Sequence, residues 1–417
     1  CTAGQQPAST AAPSPAAPNA QTRESADAGQ PLVFAGSGGM GNDNGFYFRR
    51  SNADWTGLLC YADYATRQVV PLCARPNCPH RDESCTAWLG DAGSQPCVLL
   101  AGQRLVLVTL GGMTDAPAAV AVAEPDGRDR HTIHAFAPQE SVQPDFAVGG
   151  GALYLVRRTA SAGGDPQSAL VRVDLESGAA AELYAAKPGD SLFLVGCTGG
   201  RLLLKQFALD PQWAGTAGGV QHQQHILSAL DPATGRMETV CQWQQGQATA
   251  PCAGDAALLA TADHTLTTLD GTVLARHQAL GSSCACLWVQ PDGTLWLSSD
   301  QVREAASGLP AVFCVRPDGT AAQVPVEQAY GTGSTLRVLG GAGGRLFVEL
   351  SDAPNDTLRY ALAAPEQLLA GLTDADWFAA AGLGGQEGGL PCKRPFAGRW
   401  PFCLPRPCPA APPGRSR

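Results

Sequence analysis

The densest set of chemically capable side chains lies in one short run, Cys73-Ala-Arg-Pro-Asn-Cys78-Pro-His80-Arg-Asp-Glu-Ser-Cys85. Three thiols and an imidazole make a complete donor set for a tetrahedral ion. A structural zinc bound there would staple a loop too small to have a core of its own. The same cysteines could form disulfides instead, which an exporting compartment permits. Cys60 and Cys97 flank the loop, and either could complete two bridges with Cys73, Cys78 and Cys85. A third reading leaves the thiols reduced and buried. All three roles are structural, because a catalytic zinc needs an open coordination position, with a general base close by.

Other candidates are sparser. His131-Thr-Ile-His134 and His222-Gln-Gln-His225 both read H-x-x-H. Each lies near a predicted strand, where residues three apart point to opposite faces, and neither carries the Glu of a helical zinc protease motif. Gly36-Ser-Gly-Gly-Met-Gly41 lacks the Lys of a phosphate loop and reads as a turn. Ser37 within it is a poor echo of a nucleophile elbow. Asp255, Asp263 and Asp300 read as turn residues that could line a channel. Cys284 and Cys286 fall on one face of a strand, like small hydrophobes of a core. After Asp210 come Trp213, His222 and His225, which are the candidate ligand contacts of the chain.

The elements that must position these residues are short strands. Phe46-Tyr-Phe48, Leu58-Leu-Cys-Tyr61 and Arg67-Gln-Val-Val-Pro-Leu72 form a strand–turn–strand plan that recurs down the chain. Asp126-Gly127, Asp270-Gly271, Asp292-Gly293 and Asp318-Gly319 are hairpin signals, since Asp-Gly tolerates positive φ. Seven anchor strands, near Phe46, Leu105, Leu153, Leu202, Leu258, Leu295 and Leu346, recur at roughly the interval of propeller blades. Their runs of Leu and Val do not alternate cleanly, which suits sheets packed on both faces. The expected fold is an all-β β-propeller of seven blades over residues 32–372, with six or eight blades, or two stacked sandwiches, as alternatives. Leu32-Val-Phe34 is expected to complete the blade near Leu346. Thr373-Asp-Ala-Asp376 reads as a capped short helix.

Composition agrees. Gly and Pro number 49 and 32 in 417 residues, which favours many short strands joined by turns. A net charge of −9 lacks the basic footprint of a nucleic-acid binder. Cys1 followed by a stretch rich in Ala, Pro, Ser, Thr and Gln matches a lipidated cysteine on a disordered tether covering residues 1–31. The implied place is outside the cytoplasmic membrane, held by the lipid alone. From residue 382 the chain turns basic and Pro-rich, with Cys392, Cys403 and Cys408. That segment reads as a disordered tail, either out of frame or suited to anionic envelope polymers.

The run LCYADYATRQVVPLCARPNCPHRDESCTAWL resembles the first-blade signature of a family of bacterial β-propeller lipoproteins, Leu-Cys-x-x-Pro-x-Cys-x-His-x-x-x-x-Cys-x-Ala. The pattern falls on Leu72, Cys73, Pro76, Cys78, His80, Cys85 and Ala87. It covers about a tenth of the chain. The resemblance implies a lipid-anchored, surface-exposed propeller and implies no reaction. The expectation is a propeller used for binding or scaffolding, with a glycan, peptide or envelope-protein ligand. Its long loops, Gly111–Ala118, Ser161–Gln167 and Asp210–Gln224, would make the contact. Alternatives are a hydrolase or lyase using the channel, and a structural part of an envelope complex.

Overall fold

The computed structural model describes residues 31–380, apart from 53–55, 92–95, 113–115, 162–164, 210, 214–221, 250–257, 270, 282–283 and 356. Cys1, the tether before residue 31, Asp255 and the tail from residue 382 lie outside the described residues.

Seven sheets, antiparallel except for one two-residue strand at the edge of the first, form a ring, a seven-bladed β-propeller. Blade 1 holds Met40–Asn42, Gly45–Ser51, Thr56–Asp63 and Gln68–Pro71. Blades 2 to 7 span residues 97–135, 140–185, 191–244, 248–276, 285–323 and 335–363. Every anchor strand expected from the sequence is the second strand of a blade. The Asp-Gly hairpins form as their chemistry requires. Gly293 and Gly319 sit at φ +86° and +83°. The carboxylates of Asp292 and Asp318 accept the backbone N–H of Thr294 and Thr320, each at 2.9 Å.

Blade faces pack on both sides, which explains the weak alternation. In the second strand of blade 1, Phe46 and Phe48 turn to Phe347 and Tyr360 of blade 7. Tyr47, between them, turns to Leu105 and Leu107 of blade 2. Burying the aromatic set between first and last blades drives the ring shut, since each ring removes a large apolar area from water.

Closure differs from the expectation. The lone N-terminal strand is Val33–Gly36, and it pairs with Asp145–Val148 of blade 3, not with the blade near Leu346. The first strand of each blade lines the central channel of a propeller. A strand added beyond the first strand of blade 3 therefore lies in the channel. Ala35 and Gly36 are small enough for that position. It enters beside the Gly149–Gly151 turn, rises to the level of Asp145, and returns through Ser37–Gly39 to Met40–Asn42. The Gly-rich run is thus a turn.

The blade 7 edge is covered from the other terminus. Thr373 and Asp376 cap a single 3-10 turn, Asp374–Asp376, the Thr373 hydroxyl donating to the Asp376 carboxylate at 2.7 Å. Trp377 then bridges to Ala361 of blade 7. Ala379–Ala380 pairs in parallel with Gln68 and Val69 of blade 1. Residues 377–380 are thus a strap sewing blade 7 to blade 1, and they carry the propeller beyond Leu372. Among the described residues no helix is long and apolar enough to cross a membrane.

Candidate metal centre and aromatic rim

The Cys/His loop interrupts a strand. Gln68–Pro71 pairs with Cys60–Asp63, the later half of the third strand of blade 1. Trp88–Asp91 pairs with Thr56 and Leu58, the earlier half. The two pieces are collinear parts of one fourth strand, and residues 72–87 are an insert between them. Its ends meet at one residue. The Leu72 N–H donates to the Leu59 carbonyl at 2.9 Å, and the Leu59 N–H donates to the Ala87 carbonyl at 2.7 Å.

The insert folds its donors inward. One ligand atom each from Cys73, Cys78, His80 and Cys85 lies within 4.8 Å of the others. His80 presents Nδ1, 3.1 Å from Cys85 Sγ. In a tetrahedral zinc site with Zn–S of about 2.3 Å, donors sit about 3.5–3.8 Å apart, so the observed spread brackets the required one. Asn77 and His80 adopt left-handed φ of 56° and 53°, the conformations that turn the chain around the cluster. Strained backbone of this kind persists where surroundings over-determine it.

The electrostatics fit an ion as well. Burial lowers the His80 imidazole from its ordinary value, which keeps it neutral and able to ligate. Burial works to raise Cys73, but hydrogen bonds from the Arg75 backbone, from Cys85 and Cys78, and from Thr86 outweigh it, and the thiol is lowered. Burial pushes Cys85 up to about 12, and the neighbouring Cys73 and Cys78 add to it. Cys73 and Cys85 are thus driven in opposite directions. A divalent cation held there would remove that conflict by drawing the thiols toward thiolates. The outer contacts are ordered too. Arg75 donates to the Ser84 carbonyl at 2.5 Å, and the Thr86 hydroxyl to the Leu72 carbonyl at 2.7 Å. Arg130 of blade 2 donates to the Trp88 carbonyl at 2.8 Å and lines one cleft with Cys85 and Thr86.

The ten described cysteines are free thiols, so none of the bridges that could have used Cys60 or Cys97 is formed. Those two are buried in different cores, and burial pushes each up to about 12. They are inert packing residues.

The second candidate set lies on blade 4. Trp213 ends a single 3-10 turn, 36% exposed, and stacks on His222 with centroids 3.8 Å apart and planes 7° from parallel. His225 is not beside them on the surface but is 5% exposed beneath. There it packs on Phe207 at 4.4 Å and Trp243 at 5.5 Å, with Lys205 4.9 Å above the Phe207 ring. Its Nε2 meets Gln245 Oε1 at 2.5 Å. Burial, and then Lys205, push its imidazole down to about 4. Register explains the layer. Phe207, His225 and Trp243 are cross-strand partners in adjacent strands, so they share one face. The sequence reading singled out His225 and missed Phe207, Trp243 and Arg130. Their roles arise from pairing between segments far apart in the chain.

The other sequence candidates do not converge. His131 Nδ1 meets the Asp129 carbonyl at 2.8 Å, while His134 Nδ1 meets the Gly178 carbonyl at 3.0 Å. Asp263 is exposed and accepts the Thr261 hydroxyl, as a turn residue does. Cys286 and Cys284 face the core between blades 5 and 6. In the channel, burial pushes Asp145 up to about 6.

No protein-family model matches the sequence, and no curated protein matches it. Solved structures do match. A puromycin hydrolase variant complexed with PGG aligns with TM-score 0.53 and 13% identity over 82% of this chain and 53% of that one. Oligopeptidase B from Leishmania major aligns with TM-score 0.48 and 11% identity over 82% and 48%. An oligogalacturonate lyase in complex with manganese aligns with TM-score 0.50 and 12% identity over 81% and 92%. The chain spans about half the length of the hydrolase and the oligopeptidase, and most of the lyase. At these identities the likeness is one of fold, and the fold that this chain shares with the hydrolase and the lyase is the β-propeller.

Proposed function

We propose that this chain is a binding or scaffolding propeller of the bacterial lipoprotein type, held outside the cytoplasmic membrane by a lipid on Cys1. A structural zinc held by Cys73, Cys78, His80 and Cys85 fixes its first blade. The observation that carries the binding role is the occupied channel: the chain's own Val33–Gly36 strand fills the place where a channel ligand would sit. Contact with a ligand therefore falls to the loops that join second and third strands. All three long loops expected from the sequence are of that kind, so they share one face. The exposed Trp213–His222 stack stands on that face and offers a flat apolar surface to a sugar ring, which favours a glycan ligand. Zinc, when bound, supplies cross-linking and charge neutralisation, and the four side chains supply its whole tetrahedral shell.

A hydrolase or lyase is the second reading, favoured by the fold it shares with a lyase that binds manganese. It requires a metal or converging acids at the channel mouth. Among the described residues, the one group of three or more His, Cys, Asp or Glu able to hold an ion lies on the outer strand of blade 1 instead.

The deciding experiment is a glycan array with the full chain and with Trp213→Ala, alongside turnover assays on the same glycans. Binding without turnover, weakened at least tenfold by the substitution, is expected. Equal binding by both proteins removes the rim assignment, and turnover moves the chain to the second reading. Zinc is expected at one equivalent by elemental analysis and to be lost in Cys78→Ser.

A further inference from the structure

We infer that the metal centre controls whether the strap that sews blade 7 to blade 1 stays docked. This rests on the metal reading of the cluster. The short strand Gln68–Pro71 is the link between two systems. One of its ends runs directly into Leu72 and Cys73 of the metal loop. Its free edge is where the strap lands, Ala379–Ala380 lying parallel to Gln68 and Val69. The Ala379 N–H donates to the Arg67 carbonyl at 2.9 Å, and the Arg67 guanidinium donates to the Ala375 carbonyl at 3.1 Å.

The strap has little hold of its own on blade 1. Its strand is two residues long, and its anchoring side chain, Phe378, packs on Tyr64 and Phe347 across the blade boundary. Its blade 7 end is firmer. Trp377 bridges to Ala361, meets Tyr330 edge-on, and carries the Arg359 guanidinium 4.3 Å above its ring. The blade 1 end thus depends on Gln68–Pro71 staying straight and paired.

The metal loop enforces that. With its donors gathered, the insert pinches shut at Leu59, and the two halves of the fourth strand are held in line. With the donors released, the insert regains its conformational freedom. Only the bond from the Leu72 N–H to the Leu59 carbonyl then fixes the direction in which Pro71 leaves the sheet, and the four-residue strand frays. The edge that accepts the strap goes with it, and the strap between blades 7 and 1 comes loose, leaving the Phe347 cluster alone to hold the two blades together. Coupling of this kind is reciprocal, so a loosened strap must also weaken metal binding.

The test uses the full chain, reduced, loaded with zinc, and compared with the same sample after chelation and after zinc is restored. Amide hydrogen exchange is followed by mass spectrometry. Peptides covering Gln68–Pro71 and Ala379–Ala380 are expected to exchange at least tenfold faster without zinc. Those of blade 4, Arg201–Leu209, are expected to be unchanged, and zinc to restore protection. Phe378→Ala is expected to release zinc to a competing chelator several-fold faster. If zinc binds and its removal exposes only residues 72–87, docking of the strap is independent of the metal and the inference falls while the metal site stands. If no zinc binds, the metal site itself falls, and the inference with it.

Discussion

Leu59 offers no reactive atom, yet its two backbone groups hold both ends of the Cys/His loop. Its side chain is fully buried toward blade 2, so the backbone cannot swing to follow the loop. The donors themselves were plain in the sequence, because ligand chemistry is local: four side chains in a short run. The residue that positions them was not, because its role exists only once the strand is split around it. His225 shows the same limit. Its type was legible, but its burial was not. Held near 4 by burial and by Lys205, it stays neutral where the unfolded chain, near 6.5, takes a proton. A depressed imidazole costs stability as pH falls from about 6.5 toward 4, since only the unfolded state binds the proton there. The native protein should therefore lose on the order of 2 kcal/mol more than His225→Gln across that window, allowing for solvent screening. Denaturant titrations at pH 7 and pH 4.5 measure this, and equal losses in the two proteins would count against the buried, neutral imidazole.

Among the elements, turns and second strands were the readable ones. The Asp292-Gly293 and Asp318-Gly319 hairpins carry their conformation in the two residues at the bend, and Leu105 or Leu153 sits in an apolar run between such bends. The strap and the channel strand were not readable. Ala379–Ala380 and Val33–Gly36 are too short to show a period, and each pairs with a segment far away in sequence. What makes the strap matter is the aromatic cluster under it. Phe347 is fully buried and meets Phe46 at 4.9 Å, Tyr64 at 5.6 Å and Phe378 at 5.8 Å. Phe347→Ala leaves a cavity between first and last blades, and should cost about 3–5 kcal/mol in chemical denaturation. A cost near that of a surface change, about 0.5 kcal/mol, would show that the cluster does not seal the ring.

At the scale of the molecule, the repeat was legible in outline and its irregularities are now explained. The longest interval between anchor strands, from Phe46 to Leu105, is where the Cys/His insert sits. The next longest, from Leu202 to Leu258, contains the loop that carries Trp213. Both insertions leave the blades intact, because each falls where the chain already leaves the sheet or can be pinched back into it. Ring closure is a different matter: it joins segments as far apart as Arg67 and Ala375, and no local signal can announce it.

The channel strand also gives the disc a direction. Pro31 lies among the turns that join first and second strands, at the Gly149–Gly151 end of the channel. The loops that join second and third strands lie at the opposite end of every blade. Pro31 therefore enters the ring near its axis, from the face opposite those loops. The strand ends that lead into those loops all point away from Pro31, so the chain's entry and its long loops are kept on opposite faces.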